Sequence, residues 1–159
     1  MSSRIMIIVS AVIGLTGAGS SAESQATPHD SSAILATAIA SVRPYAPLGA
    51  TVIGLADSLR FSEAQTAQIA RTVGYEYASL KSKRVCSGPT PSYCHLIGAK
   101  VFIEPTHVEI GNDQAEVFLT VLDETTSRRQ PIHYAFFKVL LARSGSSWQQ
   151  KRVEVLAET

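Results

Sequence analysis

Charge of either sign is scarce in this chain. Charged residues fill 17% of its 159 positions, against about 25% in an average soluble domain. Lys and Arg total 14 and Asp and Glu 13, for a formal net charge of +1. Nucleic-acid binding needs a basic footprint, and this balance provides none. The small clusters Lys81-Ser-Lys83-Arg84 and Arg128-Arg129 read as a solvated loop and a solvated turn. Proline and glycine are modest at 7 and 10, too few for a mainly disordered chain. The length suits one domain and excludes a large multidomain enzyme. The Gly-x-Ser-x-Gly elbow, the phosphate-cradling Gly-rich loop, His-Glu-x-x-His and Cys-x-x-Cys are all missing, which removes the commonest hydrolase, nucleotide, metalloprotease and redox signatures. Asn112 is the sole asparagine and precedes Asp-Gln, so no N-glycosylation acceptor exists.

What the chain has at its start is grease. Arg4 is the lone charge before an apolar run over 5–15, followed by small residues ending in Gly-Ser-Ser-Ala. Ser20 and Ala22 fit the small-x-small rule of a signal-peptide cleavage site, so 1–22 is expected to be removed after Ala22. The run is short for a bilayer span of about 20 residues. The uncharged stretch continues to Ala22, so an uncleaved membrane tether is the alternative. Loss of Arg4 leaves basic and acidic residues equal in number. The expected location is secreted or periplasmic, with no stable span after cleavage. The first cysteine is Cys86, so a lipoprotein-type anchor has no acceptor beside the apolar run.

Export would place Cys86 and Cys94 in an oxidising compartment, where two cysteines around Gly88, Pro89 and Pro91 predict one disulfide closing a tight loop. A loop of about nine residues contributes roughly 2.5 kcal/mol by chain entropy. Metal binding by Cys86, Cys94 and His95 matches no common zinc spacing.

Residues 23–30 read as a flexible leader, and 31–159 as a single domain. A helix is expected over 31–42, capped by Asp30 or Ser31, with Ile34, Leu35, Ala38, Ile39 and Val42 on one face. Pro44, Pro47 and Gly49 end it. The apolar stretch 52–59 reads as a helical turn or two. Ser62 with Gln65 forms a capping box behind Phe61, opening a helix to Val73 with Gly74 after it. Its apolar stripe is weak: Ala64, Ala67, Ile69, Ala70 and Val73. From residue 80 onward strands are expected: one entering Cys86, then 101–103 broken by Pro105, 107–110, 115–122, 132–143 and 148–156. Gly111-Asn-Asp and Ser144-Gly-Ser-Ser are turns. Short connections favour an antiparallel meander. The fold class is therefore α+β, with N-terminal helices packed on a C-terminal meander of about four to five strands.

The middle strands are apolar on both faces. Val117, Leu119 and Val121 alternate with Phe118 and Leu122. Phe137, Val139 and Leu141 alternate with Tyr134, Phe136 and Leu140. A sheet with one wet face alternates more cleanly. Helices can cover one face, and the other is expected to meet a second copy, a protein or a small apolar ligand. Tyr75, Tyr77, Tyr93, Phe118 and Phe136 are the candidate partner contacts. The alternative for the tyrosines is packing at the helix–sheet junction.

Two segments, Ile110-Gly-Asn-Asp-Gln-Ala-Glu-Val-Phe-Leu-Thr-Val and Leu140-Leu-Ala-Arg-Ser-Gly-Ser-Ser-Trp-Gln-Gln-Lys-Arg-Val, resemble the long strand and closing hairpin of the NTF2-like family, a cystatin-like α+β fold. The resemblance covers the C-terminal third. It implies a curved sheet around helices, often dimeric through the sheet. That family includes enzymes, ligand binders and assembly modules, so function does not follow from fold.

Titratable candidates for chemistry are His95, His107, His133, Asp113, Asp123 and Glu104. An enzyme of the resembled family would use an Asp or His in an apolar pocket as general base. Asp123 and His133 flank one connection and can face each other. The competing reading is ordinary strand-end polarity, which needs nothing further. No pattern calls for a metal or cofactor. The reading that asks least is a small exported non-catalytic binding module; the alternative is a small NTF2-like enzyme using Asp123 or His133.

Overall fold

A computed structural model describes residues 28–46, 51–53, 59, 61–79, 82, 84–86, 94–124 and 132–158. The segment 1–22, most of the leader, Tyr93 and the loop between the cysteines lie outside the described residues.

Helix α1 is Pro28–Ser41. It starts three residues before the expected position, so Pro28 to Asp30 belong to the helix rather than to a leader. Proline suits a first helical turn, whose N–H groups lack partners in any case. Ile34, Leu35, Ala38, Ile39 and Val42 are fully buried, which is the stripe read from the sequence. Helix α2 is Glu63–Val73. The Ser62 N–H donates to Gln65 Oε1 at 2.9 Å and the Gln65 N–H to Ser62 Oγ at 3.3 Å, completing the capping box. Gly74 ends the helix at φ 80°, a left-handed value that favours glycine. The buried side of α2 is Thr66, Ile69, Ala70 and Val73. Ala64 is exposed, so it leaves the expected stripe.

The strands are β1 (Thr51–Ile53), β2 (Glu76–Ala78), β3 (Arg84–Cys86), β4 (Cys94–Leu96), β5 (Val101–Ile110), β6 (Gln114–Glu124), β7 (Ile132–Ser144) and β8 (Ser147–Glu158). The main sheet has the order β2-β1-β5-β6-β7-β8, and β3 and β4 form a separate ribbon. The antiparallel meander is β5 to β8. The start of the apolar stretch at 52 is strand, not helix: β1 lies parallel between β2 and β5. With α2 between them, β1 and β2 make a small βαβ unit at the sheet margin.

Pro105 does not end a strand. β5 is continuous, with a bulge between Pro105 and His107. β1 covers only Phe102 and Ile103, so Pro105 lies where β5 has no neighbour on that side among the described residues. A proline lacking an N–H is tolerated at an edge or bulge. The extra residue, Thr106, donates its hydroxyl to the Phe118 carbonyl at 3.2 Å.

Both helices lie on one face of the sheet. Alternate residues Ala115, Val117, Leu119, Val121, Ala135, Phe137, Val139 and Leu141 form one core with them. Arg43 donates to the Val73 carbonyl at 3.0 Å, joining the helix ends. Arg143 meets Asp30 at 2.6 Å and lies over the Trp148 ring at 5.2 Å, joining the start of α1 to the β7–β8 hairpin. Gly145, at φ 61°, makes that tight turn.

Candidate functional site

The second face of the sheet can be laid out in four cross-strand rows from the pairing registers. The first is Phe102, Leu122 and Tyr134. The second is Glu104, Thr120, Phe136 and Ala157. The third is His107, Phe118, Lys138 and Glu154. The fourth is Glu109, Glu116, Leu140 and Arg152. Direct neighbours in such rows are close enough to interact.

The first row is dry. Leu96 of the ribbon packs with Phe102, Leu122 and Ile132 into a second small core, with Tyr134 and Ala99 beside it. The ribbon therefore covers one end of this face. Beyond it the surface opens. Phe136 is 38% exposed, and Phe118 and Leu140 are half-buried.

Charges screen the opening in pairs. Lys138 Nζ meets Glu116 Oε2 at 2.6 Å and stands over the Phe118 ring at 5.8 Å. Its hydrogen bond to Glu116 holds the ammonium pKa above its usual range. His107 meets Glu109 at 3.2 Å and tilts against Phe118. Arg152 meets Glu154 at 3.1 Å. Glu104 sits at the border between dry and charged rows. Burial pushes its carboxyl pKa up, and Arg84 of the ribbon pulls it partly back. The result is a band of aromatic surface with a half-buried acid at one side and paired charges at the other.

The residues singled out from sequence divide clearly. Phe118 and Phe136 lie in this band. Tyr75 does not: it is 4% exposed, and its hydroxyl donates to the Ala46 carbonyl at 2.6 Å. It locks the segment after α1 and is closed to a partner. Tyr77 is half-buried and packs on the same core. Burial, with the Glu63 carboxylate, raises its phenol pKa. Tyr75 and Tyr77 thus both serve the helix–sheet junction.

Asp123 and His133 are register partners across β6 and β7, so the structure brings them together. They stand on the helix-side face, at its far end. Asp123 is exposed and His133 half-buried. Cys86 and Cys94 are also register partners, across the ribbon. His95 and Asp113 are exposed. Among the described residues, no three His, Cys, Asp or Glu side chains are grouped to hold a metal ion, and no helix is long and apolar enough to cross a membrane.

Sequence reading missed the cover provided by β4 and the pairing of Lys138 with Glu116. The alternation of charge with aromatics along β6 and β7 was the available signal. A separate shallow groove of ≈ 420 Å³ runs between the helices, lined by Ala33, Ala36, Gln65, Gln68 and Thr72 among others. Its small and amide side chains offer no titratable group for chemistry. Scans against family models, curated proteins and solved structures return no match to this chain.

Proposed function

We propose that this is an exported, non-catalytic protein-binding module whose contact surface is the open part of the second sheet face, centred on Phe136 and Phe118. The observation that carries the reading is the arrangement of that band: a partly exposed apolar centre framed by charge pairs. Protein interfaces share this plan, with an apolar centre and a polar rim. Aromatic side chains supply large contact area at low entropic cost.

Export and a Cys86–Cys94 disulfide belong to the same proposal. Directly opposed residues of an antiparallel pair have Cα atoms about 4.5 to 5.5 Å apart, inside the range a disulfide spans. The bond would hold the ribbon that covers the first row. The NTF2-like resemblance stays an expectation about fold and adds no activity. The second reading, an enzyme using Asp123 and His133, draws on their register pairing. The exposure of Asp123 weighs against it, since a general base works best in a sheltered pocket.

The test is direct. A solvatochromic hydrophobic dye should bind the native protein, and Phe136→Ser should lower that binding severalfold while leaving the far-UV circular dichroism unchanged. A folded wild-type protein that binds no dye removes the apolar contact surface. Native protein should begin at Glu23 and gain the mass of two hydrogens on reduction. A start at Met1 with two free thiols removes the export reading.

A further inference from the structure

The outer edge of β8 is a second feature with a use. β8 spans 12 residues, and among the described residues its only strand neighbour is β7. A long unpaired edge is a template for another strand. The opposite margin of the sheet, β2, has only 3 residues. β8 contains no proline, and Val155 and Leu156 are 44% and 51% exposed. Two bulges interrupt it, with Lys151 and Leu156 as the extra residues. Each bulge changes which face the following side chains take. Few self-pairings can therefore match both faces of two copies.

We infer that β8 pairs antiparallel with β8 of a second copy, with Val153 on the two-fold axis and Arg152 of each copy opposite Glu154 of the other. Arg152 and Glu154 are partners of Leu140 and Lys138, on the face away from the helices. Val153 and Trp148 are partners of Val139 and Arg143, on the helix side. Directly opposed residues in an antiparallel pair point to the same face. Centring on Val153 satisfies this outside the bulges, because Arg152 meets Glu154 twice, Gln149 meets Ala157 and Trp148 meets Glu158, while the bulge residues Lys151 and Leu156 fall opposite Val155 and Gln150. Centring on Arg152 or on Glu154 sets like charges against each other, which is unfavourable. Centring between residues 152 and 153, or 153 and 154, mismatches the faces. Other registers also match faces, such as one centred between Gln150 and Lys151, but only the Val153 register sets Arg152 against Glu154 on both sides of the axis. Arg152 and Glu154 already touch within one chain, so pairing builds an alternating cluster of four charges.

This inference does not rest on the aromatic band. Its two-fold axis is normal to the sheet, so both helical layers fall on one side and both aromatic bands on the other. A binding partner would meet two adjacent bands.

The experiment is charge exchange, read by sedimentation and light scattering. The purified protein should be a dimer at about 50 µM, above the low-micromolar range of a modest homodimer. Arg152→Glu and Glu154→Arg should each weaken dimerisation by about tenfold or more, since two attractive contacts become repulsive. Mixing the two variants should restore a dimer containing one of each, because both contacts across the axis then set an acidic side chain against a basic one. A monomeric wild type, undiminished dimers in folded variants, or a mixture that stays monomeric would overturn the inference. Val153→Cys retains both charges and should crosslink to a dimer under mild oxidation; failure to crosslink overturns it equally. Phe136→Ser should leave the dimer intact. If it disperses the dimer, the contact belongs to the aromatic face, and the edge pairing falls while the binding surface stands.

Discussion

The two faces of this sheet are made by the same strands and alternate residues, yet they lead different lives. On the helix side Val117, Leu119 and Phe137 are no more than 1% exposed. One residue away, Phe136 is 38% exposed, and Phe118 carries a lysine over its ring. Both sides carry large apolar side chains, but the second face mixes them with Glu104, Glu116, Lys138 and Arg152. The cover differs as well: two helices against a two-stranded ribbon at one end. An apolar strand pattern thus reports capacity for burial, and the available neighbours decide how much is realised.

The sharpest way to break this contrast is to truncate adjacent residues of β7. Phe137→Ala should cost about 3–5 kcal/mol, as for other fully buried phenylalanines. It also removes the ring contact with Tyr45, whose centroid is 4.6 Å away. Urea unfolding of Phe136→Ala should show a loss below about 1 kcal/mol, since a partly exposed ring leaves little cavity. Equal losses would mean that the second face is as well covered as the first.

Removing the ribbon's expected staple comes next. Cys86→Ala should lower stability by roughly 2–3 kcal/mol while preserving the fold, if the bond closes its loop. Thermal melting before and after reduction checks it, and an unchanged midpoint means that no bond contributes.

The smallest effect concerns Glu104 at the border. Its pKa is raised in the folded state, so the native protein holds this proton more tightly than the unfolded chain does. The group therefore favours folding at low pH and loses that contribution as pH rises through the folded-state pKa. Glu104→Gln should stabilise by about 0.5 kcal/mol at pH 7, a modest figure because the site is only half shielded. The gain should vanish near pH 4. A gain that persists at pH 4 would assign it to packing instead.

Much of the architecture was legible because its signals are local. Ser62 and Gln65 fold back within one turn, Gly74 and Gly145 mark their own conformations, and the buried stripe of α1 follows from spacing. Asp123 and His133 could be paired by counting back from their connection. The parts that escaped depend on distant partners. β1 has three residues and becomes a strand only because β2 and β5 flank it. Pro105 reads as a breaker unless one knows that β1 stops short of it. Tyr75 offers an aromatic ring to any partner until the Ala46 carbonyl claims its hydroxyl. The candidate surface was half legible: its aromatics were, but the ribbon over its end and the lysine across Phe118 were not.

The parallel pairing of β1 with β5 joins residues about fifty positions apart in the chain, whereas the meander strands are joined by short connections. Closing long loops slows folding, and local contacts form sooner. The β5–β8 hairpins should therefore organise early, with β1 docking late. During synthesis the order is reversed: α1 leaves the ribosome before β5, β6, β7 and β8, the strands it packs on. The helix must therefore wait for strands made after it, and its buried stripe stays without a cover until they emerge.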